Sequence, residues 1–158
     1  MGMMITFTQA LSGLKNMLAP SIIKLSESEV ESMTMDLVKQ LHNLPFSRVV
    51  GIANGGLNIS LPVARILDKP HEYVRISRYD GQAMRPEPLI YGSLSQPIDN
   101  LIIDDLVDGG HTFELFDQHF GLAGNMTAVL FWNTQATFQP NFYVAEKPEN
   151  WIQFPWGS

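Results

Sequence analysis

The sequence predicts an α/β fold, a central and mostly parallel sheet flanked by helices. Three observations carry this expectation. Short apolar runs at 48–53, 101–103 and 128–132 have the near-continuous hydrophobicity of strands buried on both faces. Segments with helical spacing alternate with them, as in sheets whose neighbouring strands run the same way. Two of the runs stop abruptly, at Asn54-Gly55-Gly56 and at Asp104-Asp105. In such sheets the carboxyl ends of the strands form the crevice where ligands bind.

The elements follow in chain order. Phe7, Leu11, Leu14 and Leu18 share one helical face within Met1 to Pro20, with polar residues interspersed, so this segment reads as a packed helix rather than a membrane anchor or secretory leader. Ser26 and Glu29 form an S-x-x-E capping box, and Val30, Met33, Leu37, Val38 and Leu41 continue it as a helix over about Glu27 to His42. A strand at Arg48 to Ala53 ends at the Gly55-Gly56 turn. A helix over about Ser60 to Leu67 follows, with Pro62 placed in its first turn. Glu72 to Ser77 alternates like a strand, and Asp80 to Pro88, carrying Gly81, Pro86 and Pro88, reads as a loop. Leu101 to Ile103 is a third strand, Thr112 to Leu122 a helix and Ala128 to Trp132 a fourth strand.

Bulk composition limits the function classes. A chain of 158 residues, 45% hydrophobic and 16% charged, suits one domain around one core. Its net charge of -6 disfavours nucleic acid as a partner, because neutralising phosphates takes a surplus of Lys and Arg. The absence of cysteine removes disulfides, thiolate catalysis and Cys-ligated zinc, and fits a cytoplasmic protein. No membrane partner is expected.

The chemistry concentrates in Leu101-Ile102-Ile103-Asp104-Asp105-Leu106-Val107-Asp108-Gly109-Gly110-His111-Thr112. The strand delivers two adjacent acids to its carboxyl end, where a buried like-charge pair is costly unless a cation or hydroxyl donors meet it. Vicinal ribose hydroxyls and Mg²⁺ would do so. Gly109 and Gly110 then permit a tight turn into a helix whose first amides, with the Thr112 hydroxyl, can hold a phosphate.

This string resembles the phosphoribosyl-pyrophosphate signature of the type I phosphoribosyltransferases, closest to the xanthine-guanine branch. There the familiar form is Asp-Asp-Leu-Val-Asp-Thr-Gly-Gly-Thr. The resemblance implies that Asp104 and Asp105 bind the ribose hydroxyls directly or through Mg²⁺. It implies that Asp108 is a general base at the purine imidazole nitrogen, and that Gly109, Gly110, His111 and Thr112 cradle the 5′-phosphate. Asn54, Gly55 and Gly56 resemble the pyrophosphate loop, which usually reads Arg-Gly-Gly. Ser77-Arg78-Tyr79 followed by Arg85 resembles the start of a mobile catalytic loop in which Arg85 would close over the pyrophosphate.

Trp151-Ile152-Gln153-Phe154-Pro155-Trp156 resembles the branch's terminal Trp-Ile-Glu-Gln-Pro-Trp, implying a hood over 132–158 in which Trp151 stacks on the base and the Trp151 and Ile152 carbonyls accept from a 2-amino group. Asn133 stands where the branch has a Lys that donates to the base's 6-oxo group, and its amide can serve an oxo or an amino substituent.

The implied organisation is an N-terminal helical extension over 1–23 and a phosphoribosyltransferase domain over 24–158. The implied reaction is Mg²⁺-dependent transfer of phosphoribosyl from 5-phosphoribosyl 1-pyrophosphate to a free base of the xanthine, guanine or hypoxanthine kind, in a homo-oligomer, dimer or tetramer. The other reading is a non-catalytic or regulatory module that binds this donor or a nucleotide, resting on the departures at Asn54, Gly109, His111 and Asn133. A triphosphate hydrolase is disfavoured, because the Gly-rich turns lack the G-x-x-x-x-G-K-[ST] lysine.

Overall fold

The computed structural model describes residue 7 and residues 21–80 and 83–157. The helix expected over Met1 to Pro20 lies outside the described residues except for Phe7, whose ring centroid is 5.9 Å from that of Phe131. In chain order the elements are β1 (Ile22–Lys24), α1 (Glu27–Leu41), β2 (Arg48–Ala53), α2 (Leu57–Ile66), β3 (His71–Asp80) and β4 (Ala83–Tyr91). They continue with β5 (Asn100–Ile103), β6 (Leu106–Val107), α3 (His111–Phe120), β7 (Met126–Trp132), β8 (Phe142–Glu146) and β9 (Trp151–Gln153).

Seven strands form one sheet running β4, β3, β2, β5, β7, with β6 and β8 also paired to β7. Among the described residues only the β3–β4 pairing of this sheet is antiparallel. The apolar runs are continuous because both sheet faces are covered. Val49, Leu101, Ile103, Ala128 and Leu130 point into a core closed by α1 and α2, while Val50, Ile52, Ile102 and Val129 pack with Phe113 and Phe116 of α3. This alternation within each run is the period of two that a strand imposes.

The predicted capping box is formed: Glu29 N–H donates to Ser26 Oγ at 3.1 Å and Ser26 N–H to Glu29 Oε1 at 3.2 Å. Ser26→Ala should lower stability by about 1 kcal/mol. Denaturant titration reads that loss, and donor binding should not change, because the cap lies outside the cleft described below.

Two expectations need correction. The segment from Asp80 to Pro88 is not simply a loop, since β4 begins at Ala83 and pairs with β3. Its prolines are tolerated for two reasons: β4 is the sheet's edge, and the register shifts between Ser77 and Tyr79, so Pro86 and Pro88 fall where the ladder is interrupted. Helix α2 starts at Leu57 rather than near Ser60, because the turn at 54–56 runs directly into it with Gly56 as N-cap. Pro62 therefore sits in the second turn, where it lacks the N–H that would reach the Asn58 carbonyl.

A separate two-stranded parallel sheet joins β1 to β9, pairing Ile22 with Trp151 and Lys24 with Gln153. Beside it Phe154 stacks on Trp156 at 4.6 Å and meets Phe131 edge-on at 6.1 Å, which anchors the C-terminal segment on the core. Among the described residues no helix is long and apolar enough to cross a membrane.

Candidate functional site

Strand β5 is apolar through Ile103 and then releases Asp104 and Asp105 before β6 resumes the pairing with β7. The main chain at the two acids stays tied to β7: Asp104 N–H donates to the Ala128 carbonyl at 3.2 Å, and Leu130 N–H donates to the Asp105 carbonyl at 3.0 Å. Both carboxyls also accept locally, Asp104 Oδ1 from Asp105 N–H and Asp105 Oδ1 from Leu106 N–H, each at 2.8 Å.

Burial raises the Asp104 pKa well above the ordinary carboxylate range, and the neighbouring Asp105 charge pushes it further the same way. Burial raises Asp105 as well, against the opposing hydrogen bonds. The Trp156 indole N–H, which has no hydrogen-bond partner among the described residues, lies near Asp105 and favours its charged form. A carboxyl pair in this condition is poised for a cation or for hydroxyl donors.

The turn from Asp108 to Gly110 leads into α3. Gly110, the N-cap, has φ 100°, a left-handed conformation that glycine adopts without cost. The first intrahelical bond runs from Glu114 N–H to the Gly110 carbonyl at 3.1 Å, so the amides of residues 111–113 precede the helical ladder. Thr137 clamps the turn: its N–H and its hydroxyl both approach the Gly109 carbonyl at 3.1 Å, and the hydroxyl also contacts Glu114. His111 Nδ1 lies 3.5 Å from Glu114 Oε2.

Acids and turn share a single open cleft of ≈ 610 Å³. Of the residues singled out from sequence, Asp104, Asp105, Asp108, Gly109, Gly110, His111, Thr112, Trp151 and Ile152 line it, together with Ser77 and Arg78 of β3. Trp151 is 57% exposed, a large indole left without full cover beside Ile152, which is buried.

Asn54, Gly55, Gly56, Asn133 and Arg85 are not among the lining residues. Gly55 is nevertheless adjacent to the acids, since a Cβ there would lie 2.2 Å from Asp105 Oδ2. Gly56 packs against the Ile103 carbonyl, and the Ala53–Asn54 peptide bond is cis. Asn133 Nδ2 donates to Asp108 Oδ1 at 3.2 Å while its Oδ1 accepts from Gln135 N–H at 3.0 Å. Arg85 belongs to β4, within the interrupted ladder.

Two further cations lie at the site: Arg75, which the sequence marks only as one of a cluster of arginines at 75, 78 and 85, and Lys147, which it does not single out. Arg75 pairs in register with Ala53, and its guanidinium donates to Asn54 Oδ1, so a positive charge reaches the turn at 54–56 from the next strand. Lys147 lines the cleft with its side chain only 7% exposed, its Nζ 3.5 Å from Asp108 Oδ1. Strand register, β2–β3 for Arg75 and β7–β8 for Lys147, decides where each one falls.

Among the described residues no group of three or more His, Cys, Asp or Glu side chains converges on a metal position. The Asp104–Asp105 pair fits a magnesium ion of the kind that takes one or two carboxylates and completes its shell with water and substrate oxygens.

The profile of the family described as a phosphoribosyl transferase domain matches residues 22–158. The chain belongs to this family. Among curated relatives of this phosphoribosyltransferase, the xanthine-guanine phosphoribosyltransferase of Cereibacter sphaeroides is 31% identical over 68% of this chain and 67% of its own length. The protein of the same name from Idiomarina loihiensis is 25% identical over 84% of each chain. The solved purine phosphoribosyltransferase of Pyrococcus horikoshii superposes with a TM-score of 0.74 over 87% of this chain and 94% of its own, at 24% identity, which shows the shared fold. The phosphoribosyltransferase is thus an enzyme of known class, and the cleft at the carboxyl ends of its strands is its candidate active site.

Proposed function

We propose that this phosphoribosyltransferase transfers phosphoribosyl from 5-phosphoribosyl 1-pyrophosphate to a purine of the xanthine, guanine or hypoxanthine kind, with Mg²⁺, releasing pyrophosphate. The observation that carries the reading is that Asp104, Asp105 and the 109–112 turn line one cleft with Trp151. Two acids suited to a sugar diol thus share a cavity with a helix N-terminus suited to its phosphate, and an exposed indole suited to a flat base is part of the same wall.

Asp104 and Asp105 orient the ribose, and the 5′-phosphate rests on the amides of residues 109–112 with the Thr112 hydroxyl. Mg²⁺ held by the two acids would supply charge neutralisation for the diphosphate. The turn at 54–56 and Arg85 receive the pyrophosphate, and Arg75 restores at that turn the charge that Asn54 lacks. A ring nitrogen of the base forms the bond to the anomeric carbon as the bond from that carbon to pyrophosphate oxygen breaks, and Asp108 accepts the imidazole proton. The acids and the phosphate cradle hold nucleophile and leaving group in line across a centre that gains oxocarbenium character.

Pyrophosphate release measured with a panel of purine and pyrimidine bases tests the proposal. Release with 6-oxopurines is expected. Donor binding without consumption of any base would overturn it in favour of a binding module. Trp151→Ala should weaken base binding by about 1–3 kcal/mol, the typical worth of base stacking on an aromatic ring. It should appear in steady-state kinetics as a raised KM for the base at an unchanged KM for the donor.

A further inference from the structure

We propose that Lys147 is the residue that reads the base, donating to an exocyclic oxo group and thereby excluding 6-aminopurines. This inference rests on the reading of the cleft as a purine phosphoribosyltransferase site.

Lys147 follows β8, and its N–H donates to the Trp132 carbonyl at 2.7 Å, which places it directly across from the end of β7. Its side chain is almost fully withdrawn from solvent, yet it lines the cleft. Burying an ammonium is costly unless its protons are placed. Two are: Nζ donates to the Pro148 carbonyl at 3.1 Å and to the Asn150 carbonyl at 3.2 Å. The ammonium has three donors. Its remaining neighbour, Asp108 Oδ1, is 3.5 Å away, longer than a formed N–H···O bond. The site therefore holds a fixed cation with one donor direction only loosely used, beside the acid that faces the base.

The neighbouring amide cannot take this part as readily. Asn133 commits its oxygen to Gln135 N–H and one of its two N–H donors to Asp108, and it carries no positive charge. Asn133 thus positions Asp108, while Lys147 is the cation with a donor to offer.

The chemistry of the base completes the case. In a 6-oxopurine the exocyclic oxygen and the adjacent imidazole nitrogen lie on one edge, close enough for a single cationic side chain to span both. Asp108 and Lys147 match that edge: an acid for the ring nitrogen and, next to it, an ammonium for the oxygen. A 6-amino group in the same place would set N–H against N–H, leaving a buried donor without an acceptor. Sites built to hydrogen-bond one substituent discriminate strongly against an analogue that leaves their polar groups unpaired.

The test compares wild type, Lys147→Met and Lys147→Arg, reading kcat/KM for hypoxanthine and for adenine and, separately, donor affinity by calorimetry. The expected result is a loss of about 10- to 100-fold for hypoxanthine in Lys147→Met, the worth of a charge-assisted hydrogen bond. Adenine turnover should not fall in proportion, donor affinity should hold, and Lys147→Arg should recover part of the oxo preference. Equal losses for both bases, or a loss of donor affinity with them, would make Lys147 a structural prop for Asp108 and the 148–150 turn and overturn the inference. Should Lys147→Met fail to fold, Lys147→Gln, which can still donate to the carbonyls, carries the same comparison. Wild-type protein that binds donor but consumes no purine is a different failure, that of the reading on which the inference rests.

Discussion

Replacing both Asp104 and Asp105 with Asn is expected to abolish Mg²⁺-dependent binding of the phosphoribosyl donor, by roughly 100-fold or more, since two charge-assisted interactions are lost together. The fold should survive and even gain. The two acids lie side by side, Asp104 buried and Asp105 half-buried, so in the ligand-free protein the pair is an electrostatic liability maintained for binding. The sign of the pH dependence follows from the direction of the shifts. Both carboxyls have pKa values raised above the ordinary carboxylate value, so over that window the folded protein holds protons that the unfolded chain has released. Their contribution to stability is therefore favourable at low pH and declines as pH rises through the window above about 4. Denaturant titrations between roughly pH 5 and pH 8 should show ligand-free wild type losing stability relative to the double variant as pH rises. Calorimetry with donor and Mg²⁺ reads the functional arm. Unchanged donor affinity in the double variant would remove both acids from the site.

Asp108→Asn is expected to lower kcat by about 10²- to 10⁴-fold, the usual contribution of a positioned acid or base. Donor affinity should be retained, because the ribose acids and the phosphate turn are untouched. The substitution is nearly isosteric. Asn133 Nδ2 keeps an oxygen to donate to, and Lys147 keeps its two carbonyl partners. What disappears is the group that accepts the imidazole proton. Pre-steady-state measurement of nucleotide formation would place the loss in the chemical step, whereas an unchanged rate there would leave Asp108 as a structural acceptor for Asn133 and Lys147.

The contrast between what was legible in the sequence and what was not has a physical origin. The strand from Leu101 to Ile103 and the turn from Asp108 to Thr112 could be read because their chemistry lies in consecutive residues, and because a strand buried on both faces must be apolar throughout. The capping box at Ser26 and Glu29 is equally local. Strand β4 was missed because Pro86 and Pro88 break a local rule that an edge position and an interrupted ladder relax. Strands β1 and β9 are three residues each and exist only by pairing with each other across the whole chain. The places of Arg75, which stood out only as one of three clustered arginines, and of Lys147, which did not stand out, likewise depend on strand register, Ala53 beside Arg75 and Trp132 beside Glu146. Sequence reading found a turn at 54–56 and an amide at 133 that each lacked a cation. The fold brings Arg75 of β3 to the first, and it places Lys147, just past β8, across from the end of β7 and beside Asp108.

A crystal structure with Mg²⁺ and the phosphoribosyl donor tests the central claim most directly. The ribose hydroxyls should face Asp104 and Asp105 while the 5′-phosphate rests on the amides of residues 109–112. Donor bound elsewhere, or bound in this cleft with its phosphate away from that turn, would contradict the assignment.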